Sequence, residues 1–286
     1  MYTAKIENID GNVLVLTEDE NIYQVTNIEG LDPPKAQVNT TTIVGLDGAL
    51  YNSSKLETRN IVLTVKINGD VETNRLNLYQ YFRTKEWCKF YYSNDTLNVY
   101  IEGYVESVEC NYFSNGETAQ ISIICPYPYF KSLTQIVTDI SSTLALFTFP
   151  FSINENEPIA FSSYDSGRVT SVYNGSESTT GVIIKIVFGA AVSTLEIKNT
   201  TTGDDFILNY SFLENDVVTI NTNKGQKSVK LLRNGVTTNI FSAIEQGSVF
   251  FQLYPGRNLF GYLADNGDEN EDVYITFTNV NEYRGV

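Results

Sequence analysis

The sequence has no histidine anywhere in its 286 residues, a single methionine at position 1, one tryptophan and three cysteines. Without histidine there can be no Ser-His-Asp triad, no Cys-His pair, no His-ligated zinc or iron and no imidazole proton shuttle. Positive charge is scarce as well. Nineteen Lys and Arg face 34 Asp and Glu, a formal charge of −15, which excludes the basic footprint of a nucleic-acid binder. Long apolar runs are missing. The longest, Leu144 to Phe151, contains a proline and falls far short of the roughly 18 residues that span a membrane. The first residues, Met1 to Glu7, lack the charged region and apolar run of a secretory signal. Cys88, Cys110 and Cys125 are odd in number and form no C-x-x-C, so they suggest neither a disulfide framework nor a zinc site. They read as thiols of a protein made in a reducing cytosol. Phosphate-binding and nucleophile-elbow glycine motifs are absent too. The expectation is a protein with no enzyme activity, no metal and no cofactor.

What is present is 42% apolar and 19% charged residues, enough for ordinary cores, in a length that suits two domains. The charge is even, −8 over residues 1–146 and −7 over 147–286. The dominant pattern is short alternating segments bounded by Gly, Asn and Asp, so the predicted fold class is mainly β. Ile61 to Ile67 alternates with period two and stops at Asn68-Gly69, a strand ending in a turn. Val13 to Thr17, Leu97 to Ile101, Val105 to Tyr112 and Ala119 to Cys125 are similar. One stretch differs: the spacing of Leu76, Tyr79 and Phe82 predicts an amphipathic helix over about 71–86, with Asp70 as N-cap. Tyr79, Tyr81, Phe82 and Trp87 are expected to pack it on the sheet.

Between the early strands lies a long polar segment, Leu31 to Thr58, with Asp32-Pro33-Pro34, a Thr/Asn run and Gly45-Leu46-Asp47-Gly48. A loop of that length is uncommon in a compact domain unless it binds something or is disordered. A mobile surface loop and an extended arm that orders against a neighbouring subunit both fit. The arm reading makes Pro33, Pro34, Thr40, Ile43, Val44, Leu46, Asp47, Leu50 and Tyr51 the candidate oligomer-interface residues.

Pro126 to Phe130 terminates the first domain, 1–133, and 134–150 reads as a connector. Residues 151–286 hold strands only: Val182 to Phe188, Thr194 to Lys198, Phe206 to Asn209, Val217 to Asn221, Ser228 to Leu232, Val249 to Leu253 and Val273 to Thr278. Arg233-Asn234-Gly235-Val236 is a type I′ hairpin signal, and Lys224-Gly225 marks another turn. This spacing predicts a β-sandwich.

Carboxylate pairs such as Glu102 with Glu106, or Asp204 with Asp205, are the remaining catalytic candidates. Among 34 acids such pairs carry little meaning. Asp265 to Asp272 is acidic enough for calcium, yet lacks the EF-hand spacing and reads as a solvated hairpin loop. Tyr173, Tyr210, Tyr254 and Tyr262 are the possible glycan or partner contacts of the sandwich, although strand aromatics are usually core or cross-strand pairs.

The order of these features resembles a known family. Ile28-Glu29-Gly30-Leu31-Asp32 and Gly45-Leu46-Asp47-Gly48 precede the alternating strand and the helix with Arg75-Leu76. Cys125-Pro126-Tyr127-Pro128-Tyr129-Phe130 closes the first half. Phe147-Thr148-Phe149-Pro150-Phe151, Tyr173-Asn174-Gly175, Asn199 to Gly203, Asp216 before Ile220-Asn221-Thr222, Asn234-Gly235, Pro255-Gly256-Arg257-Asn258 and Tyr283-Arg284-Gly285-Val286 follow. This order is similar to that of the distal tail proteins of bacteriophages with long, non-contractile tails. The resemblance implies a first domain that forms a hexameric ring through a belt-like arm, and a galectin-like second domain. It implies a homo-hexamer at the virion tail tip, synthesised in the host cytoplasm. Its partners would be the tail tube protein, a tail-associated hub protein and receptor-binding or baseplate proteins. No specific nucleic acid and no membrane insertion are implied. The alternative is a lectin-like sandwich protein at a phage or cell surface.

Overall fold

The computed structural model describes residues 2–16, 22–45, 47–112, 116–140, 143–145, 162–164, 169–264 and 273–286. Phe147 to Phe151, Leu46 and the acidic run Asp265 to Asp272 lie outside the described residues. The chain forms two compact units. One holds Met1–Thr134 with Glu282–Val286, the other Gln135–Asn281. The closing residues therefore belong to the first unit, whereas the turn pattern alone placed them in the sandwich.

The first unit contains β1 (Thr3–Asn8), β2 (Val13–Leu16), β3 (Tyr23–Glu29), β4 (Ala36–Thr41), β5 (Leu50–Leu56), β6 (Arg59–Ile67), α1 (Val71–Tyr81), β7 (Trp87–Ser93), β8 (Asn98–Cys110) and β9 (Thr118–Cys125). β10 (Phe130–Ile140) begins in it. Antiparallel pairing runs β2-β1-β7-β8-β9-β6-β3, and the two end strands approach each other. Alternation explains why: Ile61, Leu63, Val65 and Ile67 on β6 are all buried, as are Ala119, Ile121, Ile123 and Cys125 on β9. The expected strands 97–101 and 105–112 are one strand, β8. Its first half pairs with β7 and its second with β9, with a bulge between Val105 and Ser107. Gly103 makes that passage possible, because a Cβ there would meet Ile124 O at 2.8 Å and Cys125 Sγ at 2.9 Å. The stretch 134–140, expected as connector, is the second half of β10.

The helix starts where expected: the Asp70 carboxylate accepts from Thr73 Oγ1 at 2.8 Å and from Thr73 N at 3.4 Å. It ends at Tyr81, short of 86. The buried face also differs. Leu78 and Phe82 enter the core, with Val71 and Tyr81 packed against it, and Leu76 is exposed. With Leu and Tyr at 76, 78, 79 and 81, two faces of this helix are comparably apolar, and the sheet selects one.

The second unit begins with a short ladder of β11 (Thr143–Ala145) and β12 (Ser162–Tyr164). Then come β13 (Val169–Asn174), β14 (Ile183–Phe188), β15 (Val192–Asn199), β16 (Asp204–Phe212), β17 (Val217–Asn221), β18 (Ser228–Arg233), β19 (Val236–Asn239), β20 (Gly256–Ala264) and β21 (Val273–Tyr283). One layer runs β19-β18-β17-β14-β21, the other β13-β20-β15-β16. Ring contacts join the layers: Phe188 stacks on Phe212 at 4.3 Å and Phe260 meets Phe277 at 4.7 Å. This is the expected β-sandwich. The Asn234-Gly235 turn has φ of 51° and 79°, joining β18 to β19 as the type I′ signal predicts. Val249 to Leu253 is not a strand. Val249 N donates to Asp205 O and Leu253 exchanges bonds with Thr180, so the segment is anchored at two separate places while Phe251 fills the core. β20 takes the place expected of it.

Candidate assembly interface

Among the described residues β4 and β5 pair only with each other, from Ala36 opposite Leu56 to Thr41 opposite Leu50. Every residue of β4 is exposed, and so is every residue of β5 except the half-buried Leu56. The polar segment is thus an extended two-stranded ribbon. Thr40, Ile43, Val44, Asp47, Leu50 and Tyr51 are all exposed on it, Val44 completely. Leu46 lies outside the described residues. A lone two-stranded hairpin is marginally stable in water, and burying side chains such as Val38, Leu50 and Tyr51 is worth about 1.5–3 kcal/mol each. Between 36 and 56 the only charged residues are Asp47 and Lys55. An exposed ribbon so poor in charge has the composition of an interface centre.

The root of the ribbon is fixed. Arg59, only 3% exposed, donates to the carbonyls of Asp32 at 2.6 Å and Pro128 at 2.9 Å, and also to those of Gly30 and Arg284. Its guanidinium lies 4.6 Å from the centre of the Phe130 ring. Burial pulls its pKa below the ordinary arginine value, and attraction to Cys125 and Asp32 opposes the shift. Val286 N donates to Leu31 O at 3.1 Å. Pro33 and Pro34 sit here rather than on the ribbon. They line a groove of about 400 Å³ with Glu29, Lys35 and Glu57, and a Cβ on Gly285 would stand 2.9 Å from Pro33 Cδ. The sequence pattern gave no sign of Arg59, because its partners are main-chain carbonyls, which have no signature.

The sandwich tyrosines divide in two. Tyr210 and Tyr262 pack against the core, and Tyr262 OH donates to Val273 O at 3.0 Å. Tyr173 and Tyr254 are exposed. Tyr173 is opposite Arg257 on β20, and Tyr254 is held by Asn258, whose side chain bonds both its N–H and its carbonyl. Glu106 accepts from Ser122 Oγ at 2.7 Å, and Asp205 pairs with Lys198 at 3.0 Å. Among the described residues no three His, Cys, Asp or Glu cluster as metal ligands, and no helix is long and apolar enough to cross a membrane.

Comparison with known proteins matches each unit separately. Residues 3–125 match the phage tail protein RIFT-related domain. Residues 175–280 match the siphovirus-type tail component, C-terminal domain. Among solved structures, SPP1 Dit is described as a paradigm of the hub adsorption apparatus in phages infecting Gram-positive bacteria. It aligns with a TM-score of 0.70 at 15% identity, covering 97% of this chain and 98% of that one. Chains of the phage P2 baseplate in its activated conformation, with Ca and with Sr, align with TM-scores of 0.55 and 0.54 at 12% identity, covering 100% of both chains. No curated protein sequence matches. At such identities the structural likeness shows the fold, and the two domain matches, one on each unit and in this order, carry the assignment. The chain belongs to the siphophage distal tail protein family, a structural component of the phage tail.

Proposed function

We propose that six copies of this chain close into a ring at the tail tip. The ring joins the tail tube to the tail-associated hub protein, and the second unit serves as a platform for receptor-binding proteins. The exposed, charge-poor ribbon carries this reading. A ring closes when each subunit presents two different, complementary surfaces, and an extended arm supplies one of them over a large area. The hub and baseplate settings of SPP1 Dit and the P2 chains support the location. The chain is made in the host cytoplasm, and its three free thiols suit that origin. The −15 charge suits a conduit, since acids lining a lumen repel passing DNA. A neutral or basic lumen in an assembled ring would refute that last point.

Size-exclusion chromatography with light scattering tests the ring. Deleting Thr40 to Tyr51 is expected to leave a folded monomer, and an intact hexamer in the deletion would refute the proposal. A lectin role rests on the exposed Tyr173 and Tyr254 alone; glycan-array binding by the full chain, lost on changing both to alanine, would favour it.

A further inference from the structure

The arm is a two-stranded ribbon and its two faces differ. Cross-strand partners point to the same side. The pairs Ala36–Leu56, Val38–Ser54 and Thr40–Tyr51 therefore share one side, and Gln37–Lys55, Asn39–Ser53 and Thr41–Leu50 share the other. The first side carries Val38, Tyr51 and Leu56 and no charge. The second side carries the charged Lys55 and a single apolar residue, Leu50, at its far end, and between them polar groups satisfy one another, with Asn39 Nδ2 donating to Ser53 Oγ at 3.0 Å.

Tyr51 reaches the apolar side only through a register shift. Asn39 pairs with Ser53 and Thr40 with Tyr51, which leaves Asn52 as an extra residue. In strict alternation Asn52 would occupy the apolar side and Tyr51 would turn to the polar one. Two contacts hold the shifted arrangement: Tyr51 OH lies 2.9 Å from Ser54 Oγ, and Asn52 Nδ2 donates to Thr41 Oγ1 at 2.6 Å.

We infer that the side formed by Ala36, Val38, Tyr51 and Leu56 is the docking face of the arm, that its occupant is a second copy of this chain, and that the Asn52 bulge aims Tyr51 at that copy. The inference rests on the ring reading and adds the face to it. The occupant follows from charge. Two copies of −15 repel each other, so they must meet where acids are absent, and this side of the ribbon has neither acid nor base. A charged polymer or peptide would find no counter-ion there. None of these side chains belongs to either hydrophobic core, so the ribbon is not a displaced piece of its own unit.

The test compares single lysine substitutions on the two sides of the ribbon in the full chain, with assembly read by light scattering across a concentration series. Val38→Lys, Tyr51→Lys and insertion of one serine between Asn39 and Thr40, which gives Asn52 a partner and turns Tyr51 to the polar side, are expected to raise the half-assembly concentration by roughly tenfold or more. Asn39→Lys and Ser53→Lys are expected to leave it within about threefold, and none should move the thermal midpoint of the separated monomer. Equal damage from both sides, or damage from the polar side alone, overturns the face assignment while the ring stands. A chain with that insertion that assembles like the parent overturns the role of the bulge. A parent chain that stays monomeric, or rings that persist when Thr40 to Tyr51 are removed, overturn the ring reading instead.

Discussion

The guanidinium of Arg59 donates a hydrogen bond to the backbone carbonyl of Arg284, 225 positions further along the chain. Arg59 opens β6 immediately after the arm returns, and two of its other partners, Gly30 and Asp32, lie where the arm departs. One side chain therefore ties both ends of the arm to the closing segment. Arg59→Met would leave four carbonyls without their donor in a buried setting. The expected loss is about 3–5 kcal/mol from the first unit. Trp87, the sole tryptophan, is on β7 of that unit, so urea unfolding followed by its fluorescence reads this unit selectively. A loss below about 1 kcal/mol would show that the network does not hold the root.

Gly30 stands at the arm's departure with φ +86°, and a Cβ there would lie 2.1 Å from Asn60 O. Gly45, within the arm, has φ +88° and no atom within 4 Å of such a Cβ. Both positions charge alanine for left-handed backbone, about 1 kcal/mol. Only Gly30→Ala adds a main-chain collision. Its expected cost is about 3 kcal/mol or more, against about 1 for Gly45→Ala. Equal costs in the same unfolding assay would mean that the strand edge at Asn60 yields freely.

These residues show what sequence makes legible. β6 was readable because one face is buried, and Ile61, Leu63, Val65 and Ile67 write that burial as alternation. The arm was readable only as an overlong polar segment, since strands without a buried face leave no periodic mark. The helix was readable at Asp70, where one side chain caps it, but not in its facing. There the choice between Leu76 and Leu78 is made by the sheet. Val249 to Leu253 shows the converse: Phe251 and Leu253 are buried with strand-like spacing, yet their segment makes no continuous ladder. β20 was hidden behind Pro255-Gly256, which reads as a turn and is one, followed at once by a strand. Arg59 left no trace, because carbonyl partners are common to every residue.

Asp216 sits buried at the end of the sandwich and accepts from Arg233 Nε at 2.9 Å, from Arg233 Nη2 at 2.5 Å and from Leu213 N at 2.8 Å. The Arg233 bonds hold its carboxyl below the usual carboxylate range, with burial opposing. A depressed folded pKa contributes stability that is complete above the unfolded value, about 3.9, and is lost as pH falls through the folded one. Asp216→Asn is expected to cost about 2–3 kcal/mol at pH 7, less than a fully buried pair because Arg233 is partly exposed. The deficit should shrink below about pH 4, as the parent loses the same contribution. Calorimetry across pH 3 to 7 measures it, and a deficit independent of pH would refute the assignment to the carboxylate.

Cys88 and Cys125 are buried in the first core, at 1% and 0% exposure, and burial pushes both thiols up to about 12. At pH 8 about one molecule in ten thousand carries either thiolate, and the thiolate is the reactive form. Cys110 is only half-buried and accepts a hydrogen bond from Tyr79 OH at 3.3 Å. Ellman's reagent is therefore expected to titrate one thiol of the native chain, Cys110, and three after guanidinium unfolding. Removing Cys110 as Cys110→Ser should abolish the native reaction. If Cys88 or Cys125 reacted as fast as Cys110, the sheet joining β7 and β9 through β8 would have to open well below the free energy of global unfolding. The arm would then be rooted in a labile unit, contrary to the clamp that Arg59 makes at its base.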